Sequence, residues 1–154
     1  MNNLDHLKIL ASRAAQLRID SIRSTSASNS GHPTSSMSSA EIVASLFFHE
    51  MKFDYTNPES PDNDRFILSK GHAAPVLYSA WKQLGLISDS ELLELRQINS
   101  RLEGHPTRRH PLGEAATGSL GQGLAIGIGM AIYSEQNKIE NRIFILMGDG
   151  EIAE

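Results

Sequence analysis

An unbroken apolar run at residues 142–147 (RIFILM) empties into Gly148-Asp149-Gly150, and no other stretch narrows the possible folds of this chain so far. Apolar residues in an unbroken run, rather than at alternate positions, mark a strand buried on both faces, as parallel strands of α/β sheets are. In open sheets of that kind, ligands sit beyond the carboxyl ends of the strands, which is where this tripeptide emerges. Two glycines let the turn hug a diphosphate, and Asp149 offers a hard oxygen to Mg²⁺ or Ca²⁺ bridging phosphate oxygens. The same three residues also make an ordinary Asp-Gly turn.

Histidine placement adds a second constraint. Three of the six histidines directly follow a glycine, as Gly31-His32-Pro33, Gly71-His72-Ala73 and Gly104-His105-Pro106, more often than chance placement of 12 glycines in 154 residues would give. Imidazole donates to phosphate or carbonyl oxygens, accepts from hydroxyls and moves protons near neutrality. A preceding glycine allows a sharp turn or close ligand approach, and a following proline fixes the next φ. His32, His72 and His105 are therefore read together with Asp149 as one set of ligand-facing loop residues. His6 and His49 fall on helical patterns as surface or half-buried residues, and His110, after Arg108-Arg109, belongs to a solvated loop.

The rest of the chain alternates helical and strand-like segments without repeats or linkers. Leu4, Leu7, Ala11, Ala14, Ala15, Ile19 and Ile22 recur at helical spacing, predicting one long amphipathic helix that ends in the polar run 24–30. Ser38 and Glu41 have capping-box spacing ahead of a second helix ending near Met51. Residues 65–69 (RFILS) form a strand delivering Lys70-Gly71-His72, followed by a helix over 73–84 with Gly85 as its cap. Ser88 and Glu91 repeat the capping spacing before a short helix. Residues 99–117 make an extended loop, and the Gly/Ala-rich run 120–131 reads as a buried, closely packed helix. Gly118-Ser119-Leu120-Gly121-Gln122-Gly123 serves either as a backbone cradle at a helix N-terminus or as a helix start kept small for packing. Its G-x-x-G-x-G order and the lack of a preceding strand do not fit a dinucleotide fingerprint.

Composition removes several classes. With 40% hydrophobic residues, 154 residues suffice for one real core in one domain. A net charge of -4 and a pI near 5.8 give no general attraction to nucleic acid or anionic membrane. Zero cysteines exclude disulfides, thiolate catalysis and Cys-ligated zinc, and suit a reducing compartment. The opening ten residues have no signal-peptide core, and residues 120–133 are too short and interrupted to span a membrane. A soluble, cytoplasmic protein is expected.

Ser30-Gly31-His32-Pro33, residues 64–75 (DRFILSKGHAAP), Gly104-His105-Pro106, residues 117–123 (TGSLGQG) and Gly148-Asp149-Gly150-Glu151 stand in the order found in transketolases, a family the chain resembles from about residue 10 onward. Thr34-Ser35-Ser36 and TGSLGQG most resemble the animal-type branch. The resemblance implies an α/β fold with an open, mostly parallel sheet and helices on both faces, of which residues 1–154 are the N-terminal part of a thiamine diphosphate (PP-type) binding domain. It also implies transfer of a two-carbon ketol unit from a ketose phosphate to an aldose phosphate, using thiamine diphosphate and Mg²⁺ (or Ca²⁺ or Mn²⁺), in a cytoplasmic homodimer acting on sugar phosphates. Thiamine diphosphate supplies the carbanion and the electron sink, leaving the protein to hold, bend and orient.

By the same resemblance, Asp149 ligates the metal, while Ser35, His72, Gly118, Ser119, Leu120 and Gly150 contact the cofactor. His32 and His105 hydrogen-bond the donor sugar near the reacting carbon, and Glu154 matches an acidic position near the subunit interface. The family's second metal ligand, an asparagine, and the glutamate that activates the aminopyrimidine ring have no counterpart up to Glu154. The pyrimidine-binding and C-terminal domains are likewise absent from the 154 residues, so the resemblance implies a fragment inactive alone. A non-catalytic truncated paralogue or interaction module is the alternative.

Overall fold

The computed structural model describes residues 3–154, which form two compact units where length suggested a single core. The first is built from the chain up to Met51 together with His72–Gly104, and the second from Lys52–Gly71 together with His105–Glu154.

The first unit is helical. Helix α1 (Asn3–Ala27) packs against α2 (Pro33–Ser38), α3 (Ala40–Ser45) and α4 (Ala74–Gln83). The long first helix is present, but with the opposite face inward from the one its large residues predict. Leu4, Leu7, Ile19 and Ile22 are exposed, whereas Ala14, Leu17, Asp20, Ser21 and Ser24 are buried. Small side chains win that face because α4 approaches closely: Ser21 Oγ lies 3.4 Å from Ser79 Oγ, and each hydroxyl bonds the carbonyl four residues earlier, Leu17 and Pro75. Asp20, fully buried, is neutralised by Lys82 Nζ and Arg23 Nη1, each at 3.0 Å. Helix α4 is buried along nearly its whole length, with Tyr78 and Trp81 as its largest contributions to the core. Gly85 ends it at φ +77, as its predicted cap position requires.

The expected capping box at Ser38 does not form. Pro33 opens a helix five residues earlier, so Ser38 is the last residue of α2 and Ser39 the turn between α2 and α3, and their hydroxyls bond back to the Ser35 carbonyl at 3.0 and 2.9 Å. A π-helical turn, Leu46–Glu50, completes this segment. Ser88 does cap α5 (Asp89–Leu92), accepting from the Glu91 N–H at 3.0 Å.

The second unit holds the sheet. Strands β1 (Arg65–Leu68) and β2 (Ile143–Leu146) pair in parallel with Arg65 opposite Ile143 and Leu68 opposite Leu146. Asp64 clamps their amino ends. Its buried carboxylate accepts from the Lys52 N–H, the Arg142 N–H and the Arg142 guanidinium at 2.7, 2.8 and 2.7 Å. Burial pushes the Asp64 carboxyl upward, but these donors outweigh it and hold it below the usual carboxylate value. Helix α6 (Gln122–Gln136) lies against the sheet. It was expected to be buried, yet only Gly123, Gly127 and Ser134 are, while Leu124, Ile128, Ile132 and Tyr133 are exposed. A Cβ added to Gly127 would stand 2.7 Å from Ile145 Cγ1, so the helix rests on its small residues. Residues 99–117 lack helix and strand, as predicted, but His110 within them is buried rather than solvated, with Nδ1 accepting from the Leu112 N–H at 3.3 Å. Among the described residues no helix is long and apolar enough to cross a membrane.

Candidate functional site

In the first unit, three of the predicted residues come together. Gly31 adopts φ +123, and a Cβ there would meet Thr25 Cγ2 at 2.7 Å, so only glycine suits the turn that delivers His32. His32 occupies the N-cap position of α2, with Pro33 opening the helix. One turn later Ser35 Oγ lies 3.0 Å from His72 Nε2, and the His32 and His72 rings meet edge-on with centroids 5.2 Å apart. His72 is half-buried on the 3₁₀ turn Gly71–Ala73, and His32 is exposed. A hydroxyl and two imidazoles on adjoining turns form a polar cluster suited to phosphate or hydroxyl oxygens.

In the second unit, the carboxyl ends of both strands and the approach to α6 converge. Thr117 Oγ1 donates to the Leu68 carbonyl at 2.7 Å, fastening the TGSLGQG segment to the end of β1. Gly118, at φ +154, leaves room for the His105 ring, whose Cδ2 would lie 3.2 Å from a Cβ at that position. Gly121 takes φ +82 at the N-cap of α6, and its N–H donates to the Glu151 carboxylate at 2.9 Å. The N–H groups of the first helical turn that follow it have no partner within the helix, as at any helix start, and such groups suit an anion. Ser119 and Leu120 are exposed.

At the end of β2, Asp149 and Gly150 are exposed, and Asp149 precedes the 3₁₀ turn Gly150–Ala153 without capping it through its side chain. Its carboxylate is one hard donor of the kind a diphosphate-bridging cation takes. Among the described residues, no three His, Asp or Glu side chains gather as a metal site. Glu154 is exposed, and its Cβ sits where a Gly121 Cβ would come within 2.9 Å.

The sequence reading missed Glu151 as a participant, although the residue stands within the recognised motif. It is 3% exposed, and its carboxylate accepts from Ser69 Oγ at 2.5 Å, the Gly121 N–H at 2.9 Å and the Gly148 N–H at 3.0 Å. Beside it, Lys70 is 9% exposed. Burial pushes the Lys70 ammonium down, and the Glu151 and Asp149 carboxylates counter that shift.

Parallel strands with glycine turns, a helix N-terminus and an exposed aspartate at their carboxyl ends define a cofactor-binding α/β domain. Comparison with known proteins gives that class a family. Residues 9–154 match the model for "Transketolase, thiamine diphosphate binding domain", and the chain belongs to the transketolase family. It is 56% identical over 151 residues to mouse transketolase-like protein 2 and 50% identical over 149 residues to human transketolase, covering 97% and 96% of this chain. Both matches cover 24% of the relative, so the chain spans about a quarter of their length. Among solved structures, the transketolase from Leishmania mexicana superposes with a TM-score of 0.88 at 30% identity, covering 94% of this chain and 23% of that one. The Campylobacter jejuni transketolase gives 0.86 at 33% identity, covering 100% and 25%. The α/β fold with a parallel sheet expected from the sequence is the one these structures share.

Proposed function

We propose that this chain forms part of the diphosphate-binding domain of a cytoplasmic, homodimeric transketolase, transferring a two-carbon ketol unit from a ketose phosphate to an aldose phosphate. The observation that carries this reading is the convergence of the TGSLGQG and Gly148-Asp149-Gly150 segments on one buried carboxylate at the carboxyl ends of parallel strands. The residues present suit thiamine diphosphate: glycine-rich turns at the strand ends that let backbone approach a ligand, a left-handed glycine where a side chain would intrude, and an exposed carboxylate.

Asp149 is assigned to a divalent cation on the diphosphate. Gly118, Ser119, Leu120 and Gly150 are assigned to the cofactor by backbone approach, and Ser35 and His72 by hydroxyl and imidazole. When bound, the cofactor supplies a nucleophilic carbon and an electron sink for breaking the carbon–carbon bond. His32 and His105 are assigned to oxygens of the donor sugar, where an imidazole donates to developing negative charge or moves a proton. Glu154 is assigned to the subunit interface.

The test titrates thiamine diphosphate into protein with Mg²⁺ or with EDTA and assays ketol transfer from xylulose 5-phosphate to ribose 5-phosphate. The 154-residue chain alone is expected to bind weakly and turn over nothing. Joined to the matching remainder of a transketolase, it is expected to bind in a Mg²⁺-dependent way and to transfer. A folded joined protein that does neither would overturn the enzymatic reading in favour of a non-catalytic interaction module.

A further inference from the structure

Glu151 is a buried carboxylate that the assignments above leave without a role. Burying a charge is costly unless hydrogen bonds compensate, and here three donors do so from three separate segments. Ser69 follows β1, Gly121 begins α6, and Gly148 begins the turn after β2. The two glycine amides belong to the two segments assigned to the cofactor and its metal.

Which oxygen takes which donor matters. One carboxylate oxygen accepts from both Ser69 Oγ and Gly121 N, and the other accepts from Gly148 N. A side-chain amide cannot reproduce this pattern. With its oxygen toward Ser69 and Gly121, its NH₂ opposes the Gly148 N–H; flipped, the NH₂ opposes the Gly121 N–H. The Ser69 hydroxyl can turn to accept, but a backbone N–H cannot. In either orientation one glycine loop loses its anchor. Among the described residues, Glu151 is the carboxylate that binds both amides.

We propose that Glu151 is the positioning residue of this site: its carboxylate fixes the spacing between the TGSLGQG and Gly-Asp-Gly loops, and through them the placement of a diphosphate and its cation. The inference rests on reading the site as a thiamine diphosphate site. Glu151 needs no contact with the ligand, because it acts by holding the loops that make contact.

Two measurements on Glu151→Gln test it. Amide exchange in the 154-residue chain reads the anchoring directly, and Gly121 or Gly148 is expected to exchange at least about tenfold faster while core amides such as Ile67 keep their protection. In the joined protein, thiamine diphosphate with Mg²⁺ is expected to bind at least about tenfold more weakly, with kcat at saturating cofactor changed much less than the affinity. A residue that only supports the fold would lower the melting temperature without that split. Ser69→Ala is the control: both glycine bonds remain, so exchange of their amides and cofactor affinity should stay near wild type. If Glu151→Gln does not fold, Glu151→Asp is read instead. It keeps the charge but is one methylene too short to span both loops, and the same loss of affinity is expected.

Wild-type affinity in the folded variant, or unchanged protection at both glycines, overturns the proposal. Should the wild-type joined protein bind no thiamine diphosphate, the functional reading falls, while the exchange arm still decides whether Glu151 anchors the loops.

Discussion

Gly123 and Gly129 lie six residues apart on α6, and the same substitution at each is expected to act in opposite directions. At Gly129 an added Cβ meets nothing within 4 Å. Replacing an exposed helical glycine with alanine there should stabilise by about 0.5–1 kcal/mol, since less backbone entropy is lost on folding. At Gly123 the added Cβ stands 2.7 Å from Ser69 Cα and closer still to the Ser69 side chain. Ser69 cannot yield easily, because its N–H bonds the Leu146 carbonyl at 2.9 Å and its hydroxyl bonds Glu151. The helix must therefore lift from the strand. Overpacking of this kind costs about 1–3 kcal/mol, and a backbone obstacle places it near the upper end. Subtracting the helix gain leaves a loss of about 2 kcal/mol, or a fall of roughly 4–8 °C in Tm for a chain of this size. Gly127→Ala should fall between the two, since the obstacle there is the end of the Ile145 side chain, which can rotate. Thermal unfolding by circular dichroism or calorimetry orders the three. Gly123→Ala melting at or above wild type would refute the claim that close helix–strand approach requires glycine there.

In the joined protein, Asp149→Ala should abolish the Mg²⁺ dependence of thiamine diphosphate binding, because a methyl group cannot replace a carboxylate on a cation; calorimetry with Mg²⁺ and with EDTA checks it. His105→Ala should keep cofactor affinity while losing about 10²–10³ in turnover, the usual loss for a donor to developing charge, whereas His72→Ala should mainly weaken the cofactor. Equal cofactor defects in steady-state titrations of the two variants would move His105 to the cofactor. Asp64→Asn should destabilise by about 1–3 kcal/mol, less than a fully buried pair would lose because Arg142 is 48% exposed. Because the native carboxyl of Asp64 lies below its ordinary value, its contribution is full above about pH 4 and is lost as pH falls toward the native pKa. Acid melts of the variant should therefore lose part of the wild-type slope in that window.

The parts of this molecule legible in the sequence are those whose signal is local. The apolar run that becomes β2, the Gly-His turns and the Gly-Asp-Gly exit carry their chemistry in consecutive residues, and the fold places Gly31-His32, Gly71-His72 and Gly-Asp-Gly where elements begin or end, with Gly104-His105 inside the loop 99–117. Helix faces were not legible in the same way. Periodicity analysis assumes that large apolar residues point inward, but α1 buries Ala14, Ser21 and Ser24, and α6 buries Gly123 and Gly127. Small residues mark the points of closest approach, Ser21 against Ser79 on α1 and Gly123 and Gly127 on α6, while Leu17 is also buried on the packed face of α1. Glu151 was hidden for a different reason: a glutamate beside a metal-type aspartate reads as a surface acid until the register of β1 and β2 places Ser69 and two glycine amides around it. Along the glycine-rich run the glycines are required for two different reasons. Gly118 and Gly121 hold backbone angles that shape the loop before the helix, whereas Gly123 and Gly127 are excluded from having side chains by the strands beneath. The loop angles end and the packing begins within a single turn, so Gly123→Ala, which lifts the packed half, is expected also to disturb the loop assigned to the cofactor, read as weaker thiamine diphosphate binding in the joined protein.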